Sequence, residues 1–490
     1  MPTKQELKDG PFIIKKIGAN YLNANSMSPL DYFSLSGLEE TEIMSIVPLR
    51  DISTISAETK SSFDEGDYDL VNLKDIDKTI GEIANVYEID SSEILSSKSK
   101  FYFEDIIFSK LRPYINNVAI VNIDYDNQDF FIGSSELIRI KTDVNPYYLL
   151  LALRSKFTLY QTSASGGSIR PRFNIDKIES LEIPIFNDVN LMNAINSIVK
   201  ELFDIRKSVK SFITTLIKKY DEMINIGDIN KLYIKRIPLN EINVSRMDAN
   251  YYLLEYIQNK MLENENCIRL GDLIKFSDVK INTHYGADDV IKYITTSDVD
   301  LNQGEIINWE EKVYKPTSSL VWNKAPNRAK MLLDHNQILI PYLKGGIGTI
   351  GWVPEDLKNF IGSNGFAVIE SVDDMPGLLY IIFKSNLVSS QLKLIAAGTI
   401  MEDINDADIE NVLVLLPDDN VCSEISNVMS KLLPVLWSTR KLYMNILESF
   451  EELCISSDVN SFNEFNNEAN QKLNDLRVII EDIDVQIFDF

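Results

Sequence analysis

The amino-acid sequence predicts an α+β protein in which two duplicated mixed α/β domains are separated by two long helices that pair as an antiparallel coiled coil. Three observations lead to this prediction. An apolar stripe at helical spacing occurs twice, short blocks of sequence recur at nearly the same offset, and strand-like runs precede each stripe. Because the period is far longer than that of a solenoid, the repeat indicates a duplicated domain followed by a duplicated helix.

The two apolar stripes are related by an offset of 230 residues. The first consists of Leu191, Ile195, Ile198, Leu202, Ile205, Phe212 and Leu216. Adding 230 to each number gives Val421, Ile425, Val428, Leu432, Val435, Leu442 and Ile446. Two matched stripes over many turns favour helices that bury them against each other. The alternative is that each helix packs its stripe against its own domain.

Blocks outside the stripes repeat as well. Residues 19–21 match 249–251, residues 131–134 match 360–363, residues 167–178 parallel 398–409, and residues 106–112 align in character with 338–344. The offsets stay close to 230, which chance does not easily produce. The duplication therefore covers whole domains.

Local signals set the predicted boundaries. Pro146 predicts a helix start, Asn187 and Asp188 an N-cap, and Gly227 the end of the first long helix. Pro434 lies inside the second long helix and is expected to kink it. The predicted divisions are a first domain at 1–186, a helix at 187–226, a second domain at 227–417, a helix at 418–458 and an acidic tail at 459–490.

Composition limits the function classes. The chain has 490 residues and a formal net charge of −25, and no apolar run approaches the roughly 20 residues of a membrane helix. Cys267, Cys422 and Cys454 lack metal-ligand spacing, which is typical of a reduced, cytosolic protein. From residue 451 to 490 ten acidic residues face two basic ones, which predicts a solvated acidic appendage. The acidity argues against a polyanion as ligand, unless locally basic regions bind it.

No catalytic constellation stands out. Residues 346–351 match G-x-G-x-x-G, but Pro354 follows closely, which favours a turn over a dinucleotide site. The stretch Asn145–Tyr148 resembles an amino-methyltransferase loop without its second proline, and its counterpart retains only the helix start. His284 and His335 have no metal-ligand spacing. The sequence therefore predicts a binding protein with no metal and no cofactor.

Basic residues offer the better candidates for a site. Arginine can read guanine with two hydrogen bonds, and lysine contacts phosphates. Between residues 312 and 332 there are five basic residues and no acidic ones. Most lysines and arginines simply face solvent, and that remains the alternative for each of these. The candidate DNA-binding residues are Lys110, Arg112, Arg170, Arg172, Lys324, Arg328, Lys330 and Lys344.

Taken together, these features resemble one family, the specificity subunits of type I restriction–modification systems. The resemblance extends from about residue 13 to residue 454. It is carried by the repeated order of domain and helix and by short marks at residues 105–113, 167–169, 178–184, 245–252, 327–330 and 362–366.

The resemblance implies a noncatalytic reader of double-stranded DNA with two target-recognition domains. Two methyltransferase subunits would clasp the helices, and restriction or translocase subunits would add cleavage. The helices would set the gap in a two-part target. The acidity of the chain and its tail depart from this pattern.

Three alternatives stay open. The chain could be an acidic scaffold or DNA mimic that binds a methyltransferase without reading sequence. It could be a stand-alone enzyme, although histidine, cysteine and glycine-loop chemistry is missing. Within the same class, it could serve a type IIB-like system with other catalytic partners.

Overall fold

A computed structural model describes residues 38–123, 129–163, 172–224, 249–300, 303–396 and 403–487, with side chains up to residue 483. The chain divides into two compact units. Unit 1 consists of residues 1–204 and 440–474, and unit 2 of residues 205–439 and 475–490. Each unit thus combines segments from both halves of the chain.

Unit 1 contains thirteen described strands in three sheets. They are β1 (Met44–Pro48), β2 (Ser53–Ser56), β3 (Thr59–Lys60), β4 (Asp67–Val71), β5 (Ile76–Asp77), β6 (Glu82–Ile83), β7 (Tyr87–Asp90), β8 (Lys98–Phe101), β9 (Ile106–Ser109), β10 (Val118–Ile120), β11 (Phe131–Ser134), β12 (Leu137–Thr142) and β13 (Glu182–Phe186). The sheet orders are β1-β13, β2-β12-β9-β10-β6-β5 and β3-β8-β11-β4-β7. Residues from the two larger sheets, among them Phe101, Ile107 and Phe131, share one buried apolar cluster.

Unit 2 contains ten described strands. They are β14 (Cys267–Arg269), β15 (Ile274–Phe276), β16 (Val290–Ile294), β17 (Glu310–Val313), β18 (Ala329–Leu332), β19 (Ile338–Pro341), β20 (Gly351–Trp352), β21 (Ile361–Ser363), β22 (Phe366–Ser371) and β23 (Leu413–Leu415). Their sheet orders are β14-β23, β15-β22-β19-β20 and β17-β16-β21-β18.

The two units repeat one topology. The series β15-β22-β19-β20 corresponds to β2-β12-β9-β10, and β18-β21-β16-β17 corresponds to β8-β11-β4-β7. In both units the central strand of the second series pairs parallel on one side and antiparallel on the other. The predicted duplication and the α+β fold class are confirmed.

The helices repeat in the same way. The described helices are α1 (Pro146–Arg154), α2 (Lys156–Ser163), α3 (Ile175–Glu179), α4 (Val189–Met223), α5 (Ala249–Met261), α6 (Pro376–Lys384), α7 (Asn386–Ile395), α8 (Asp406–Glu410), α9 (Asp419–Ser456) and α10 (Val459–Ile487). Proline opens both α1 and α6, because its missing N–H is not needed in a first helical turn. The predicted helix start is therefore confirmed in both halves.

Segments of α4 and α9 lie together in each unit. In unit 1, Phe186 lies 6.1 Å from Phe450, and Phe203 lies 6.0 Å from Tyr443, measured between ring centroids. In unit 2, the Arg206 guanidinium donates to the Leu436 carbonyl oxygen at 2.9 Å. Further along α4, the Tyr220 hydroxyl donates to the carbonyl oxygen of Leu415, shortly before α9 begins, at 3.0 Å. In unit 2 the partner residue number falls as α4 advances from Arg206 to Tyr220, so the two helical segments run antiparallel there.

The apolar stripes are mostly buried. All of the fourteen stripe residues named above are buried except Phe212 and Val421, which are half-buried. Their neighbours Ile213 and Cys422 are buried instead. Helix α9 continues through Pro434 without interruption.

Residues 459–487 differ from the expectation of a solvated tail. They form α10, and Phe462, Ala469, Leu473, Leu476, Ile480 and Ile483 are all buried. The intervals of seven, four, three, four and three residues place these side chains along one face of a helix. The acidic residues occupy the other positions. The prediction of a solvated tail was wrong because it used the charge of the segment and not the spacing of its apolar residues.

Residues 344–352 form a short 3-10 turn that leads into β20, not a strand followed by a helix. The predicted turn is therefore confirmed. Within the described residues, no helix is both long and apolar enough to cross a membrane.

Each unit holds a cation at the end of an equivalent helix, buried in the case of Arg154 and half-buried in the case of Lys384. In unit 1, Arg154 donates to the carbonyl oxygens of Val118 at 2.8 Å and Lys78 at 2.7 Å. In unit 2, the Lys384 ammonium donates to the carbonyl oxygen of Gly348 at 2.9 Å. Burial lowers the pKa of Lys384 to about 8, against the opposing effect of Asp300.

We expect the stability of unit 2 to rise between pH 8 and pH 10.5 because of Lys384. The unfolded lysine, with its usual pKa of 10.5, holds a proton across this range that the folded lysine releases. The gain relative to Lys384→Met should reach up to roughly 3 kcal/mol, since one pKa unit corresponds to about 1.4 kcal/mol. Urea unfolding of both proteins from pH 7.5 to 10.5 measures it. Lys393→Met, at an exposed position on α7, serves as the control; a parallel profile for Lys384→Met would contradict the prediction.

Candidate nucleic-acid interface

The turn after β9 in unit 1 and the turn after β19 in unit 2 share one backbone framework. Phe173 N–H donates to the Lys110 carbonyl oxygen at 2.9 Å, and Ile404 N–H donates to that of Tyr342 at 2.9 Å. Isolated bridges join Leu111 to Arg172 and Leu343 to Asp403. The predicted correspondence of residues 106–112 with 338–344 therefore holds in three dimensions.

Different side chains occupy equivalent places on this framework. Lys110 corresponds to Tyr342, and Arg112 corresponds to Lys344, both at an offset of 232. Arg172 corresponds to Asp403 through the matched bridges. Unit 1 thus carries three cations where unit 2 carries one cation and one anion.

Neighbouring groups constrain several of these side chains. The Arg172 guanidinium pairs with the Glu136 carboxylate, and the Lys110 N–H donates to the carbonyl oxygen of Glu136 at 2.9 Å. In unit 2, the Tyr342 hydroxyl donates to Asp406 Oδ1 at 2.5 Å. Burial and this hydrogen bond both raise the pKa of Tyr342 above its usual range. Tyr342 therefore remains a neutral hydrogen-bonding group at physiological pH.

A cleft of about 280 Å³ in unit 1 lies against Arg112. Its lining consists of Leu73, Lys74, Lys78, Leu111, Arg112, Ile115 and Asn117, which includes three basic residues and no acidic one. Arg112 adopts a left-handed backbone conformation with φ of 49°. Its Nε is buried and, among the described residues, has no hydrogen-bond partner. A strained residue with an unused buried donor beside two lysines suits an anionic ligand such as a phosphate.

The basic residues of unit 2 lie on a different element. Lys324 and Arg328 are exposed on the connection from β17 to β18, and Lys330 is exposed on β18. Asn364 N–H donates to the Arg328 carbonyl oxygen at 2.8 Å, and Tyr342 N–H donates to that of Gly365 at 3.0 Å. Residues 364 and 365 thereby bring this connection next to the β19 turn that carries Lys344.

The described candidates therefore fall into two groups. Lys110, Arg112 and Arg172 gather at one turn of unit 1, and Lys324, Arg328, Lys330 and Lys344 gather around the corresponding turn of unit 2. Arg170 lies outside the described residues. Lys74 and Lys78 were missed, because they lie far from Arg112 in sequence and no short motif marks them. Across the described residues, no group of three or more histidine, cysteine and acidic side chains could hold a metal ion.

Comparisons with known proteins point in one direction. No protein-family model matches the sequence. Over 134 residues the chain is 23% identical to the type I restriction enzyme EcoDI specificity subunit of Escherichia coli. This match covers 27% of the chain and 29% of that relative.

Three solved structures are similar over most of their length. The HsdS subunit from Thermoanaerobacter tengcongensis is 15% identical, with a TM-score of 0.27 and coverage of 89% of this chain and 96% of that one. The type I restriction–modification S subunit from M. genitalium is 12% identical, with a TM-score of 0.34 and coverage of 89% and 97%. A chain from a study of complex assembly and conformational transition of the type I R-M system is 16% identical, with a TM-score of 0.30 and coverage of 88% and 98%. These TM-scores are low, so the similarity of this chain to specificity subunits rests on the sequence match.

Proposed function

We propose that this member of the type I restriction–modification specificity-subunit family is a noncatalytic DNA reader that recognises a two-part target. The observation that carries the proposal is one sheet framework present twice, with different charged side chains at equivalent positions. A duplicated scaffold with diverged side chains suits the reading of two different half-sites. The sequence match to a specificity subunit supports this assignment.

Each unit would approach DNA with the turn that follows β9 or β19. In unit 1 the cleft lined by Lys74, Lys78 and Arg112 would hold a backbone phosphate. Other side chains at the turn would reach base edges in the major groove, where all four base pairs can be distinguished. Local basic groups thus allow DNA binding by a chain whose net charge is −25.

The partners would be methyltransferase subunits, two of them as the family resemblance implies, with restriction subunits adding cleavage. The long helices would fix the gap between the half-sites. The strongly acidic remainder of the chain would restrict DNA binding to the two basic turns, because like charges repel a polyanion elsewhere.

Methylome mapping tests the proposal. A host expressing this chain with its neighbouring methyltransferase is compared with a host expressing the methyltransferase alone. A gapped methylated motif that depends on this chain supports the proposal. Co-purification of the two proteins without any motif overturns it and favours a scaffold that reads no sequence.

We expect Arg112→Ala to weaken binding of the assembled complex to duplexes carrying the mapped motif without changing the motif. A lost phosphate contact should reduce the slope of log K against log salt by about 1. Arg50→Ala is the matched control, because the Arg50 side chain is 55% exposed in unit 1 and does not line the cleft, and it should leave the slope unchanged. A methylome in which Arg112→Ala relaxes particular base positions would contradict phosphate binding and indicate base reading.

A further inference from the structure

One loop in each unit carries an almost fully exposed leucine. In unit 2, the loop at residues 314–328 joins β17 to β18 and exposes 90% of Leu320 and 85% of Trp322. In unit 1, the loop at residues 91–97 joins β7 to β8 and exposes 93% of Leu95. Because the strand pairs correspond, both leucines lie on equivalent connections. The same exposed residue type on the same loop of two diverged units indicates a use beyond folding.

Both loops are fixed at their bases. In unit 2, Val313 N–H donates to the Asn323 carbonyl oxygen at 3.0 Å, and Ala325 N–H donates to that of Val313 at 2.9 Å. The Thr317 N–H and hydroxyl donate to the Asp288 carboxylate at 2.8 and 2.7 Å.

In unit 1, Ser91 N–H donates to the Gly66 carbonyl oxygen at 2.9 Å, and Ser92 N–H donates to Asp90 Oδ1 at 2.8 Å. The loop bases are therefore held by hydrogen bonds, while the apolar tips remain in water.

Charge identifies the partner of the unit 2 loop. Lys315, Lys324 and Arg328 lie within the loop, and no acidic residue occurs between residues 312 and 332. A loop with an apolar tip and cationic flanks suits a polyanion with stacked apolar faces inside it, which describes double-stranded DNA. Architectural DNA-binding proteins insert leucine or similar residues between base steps, and aromatic side chains stack on exposed bases.

We propose that the two loops press their apolar tips into the DNA target, with Leu95 and Leu320 as wedges between base pairs and Trp322 stacked on an exposed base. This inference rests on the proposed function and adds a class of contact to it. The wedge opens a base step, which favours easily unstacked steps in each half-site. The unit 1 loop is shorter and carries Glu93, so its contribution is the smaller one.

The test uses the complete complex of this chain with its methyltransferase and duplexes that carry the mapped motif. 2-Aminopurine placed at successive positions of both half-sites reports unstacking as increased fluorescence. We expect unstacking in one half-site to be lost with the double change Leu320→Ala and Trp322→Ala, with affinity about ten-fold lower. Leu95→Ala should remove the signal from the other half-site.

A matched control and a partner assay make the outcome decisive. Leu262→Ala removes another exposed leucine of unit 2 and should change neither signal. If fluorescence and affinity are unchanged in the loop variants, the wedge proposal is overturned. The proposed function still holds in that case, provided that a methylated motif has been mapped. Loss of methyltransferase binding by these variants also overturns it, because the loops would then contact protein. Absence of any motif with the unchanged chain overturns both proposals.

Discussion

Arg206→Ala is expected to destabilise unit 2 by about 3–5 kcal/mol, because it leaves a buried carboxylate without its cation. The Arg206 side chain is fully buried, and its guanidinium lies 2.5 Å from Glu305, which is 6% exposed. The same group also donates to the Thr439 hydroxyl at 3.0 Å. Urea unfolding of the purified chain at neutral pH measures the loss.

Two comparisons make the Arg206 result specific. Lys358→Ala removes the partner of Asp334 at 3.0 Å on the surface of unit 2, where solvent screening leaves a salt bridge little effect on stability. Replacing Arg206 and Glu305 together by methionine and leucine should recover much of the loss, because no unpaired charge remains buried. Equal effects of Arg206→Ala and Lys358→Ala would show that burial of the pair is unimportant.

Unit 1 contains a second buried ion pair of the same kind. Arg440 Nη2 lies 2.7 Å from Asp77 Oδ2, and both side chains are buried. Burial alone would raise the pKa of Asp77, but Arg440 and Thr79 hold that pKa well below its usual range. In unit 1, Arg440 thus ties α9 to β5, and in unit 2 Arg206 ties α4 to the connection between β16 and β17.

Leu473→Ala is expected to destabilise unit 1 by about 2–5 kcal/mol, the usual cost of a large-to-small change in a core. Leu473 lies on α10 and is fully buried. The measurement is thermal or urea unfolding of the full chain. The expectation follows from the amphipathic helix found at residues 459–487, since a solvated tail would tolerate the change.

Val478→Ala provides the matched control on the same helix. Val478 is 63% exposed, so its truncation removes an apolar group from water and should change stability by less than about 0.5 kcal/mol. If both substitutions are silent, α10 contributes nothing to the core of unit 1. If both destabilise the protein equally, its exposed face is packed as well.

Structural features that occur in both halves of the chain could be predicted from the sequence. The stripes at 191–216 and 421–446 predicted two long helices within a few residues of α4 and α9, because helical periodicity persists over many turns. Pro146 and the match of residues 106–112 with 338–344 also proved structurally meaningful. A weak sequence pattern that occurs at equivalent positions in both halves is less easily explained by chance, so it can support a structural prediction.

Features without a repeat were harder to predict. Helix α10 has no counterpart in the first half, and its acidic residues dominated the composition of the segment. The cleft around Arg112 depends on Lys74 and Lys78, which only the sheet brings near. The exposed leucines Leu95 and Leu320 carry no sequence signal, because exposure is a property of the folded loop.

The division of the chain has a consequence for its biosynthesis. Unit 1 ends with residues 440–474, so the 235 residues from 205 to 439 are synthesised between its two segments. At about 5–20 residues per second, the first segment waits roughly 10–50 s on the ribosome for Arg440. During that interval Asp77 lacks its counter-ion and Phe203 lacks Tyr443. Folding from the N-terminus therefore cannot complete unit 1 before residues 205–439 of unit 2 have been translated, so the apolar surface that α9 covers in unit 1 stays exposed during that interval.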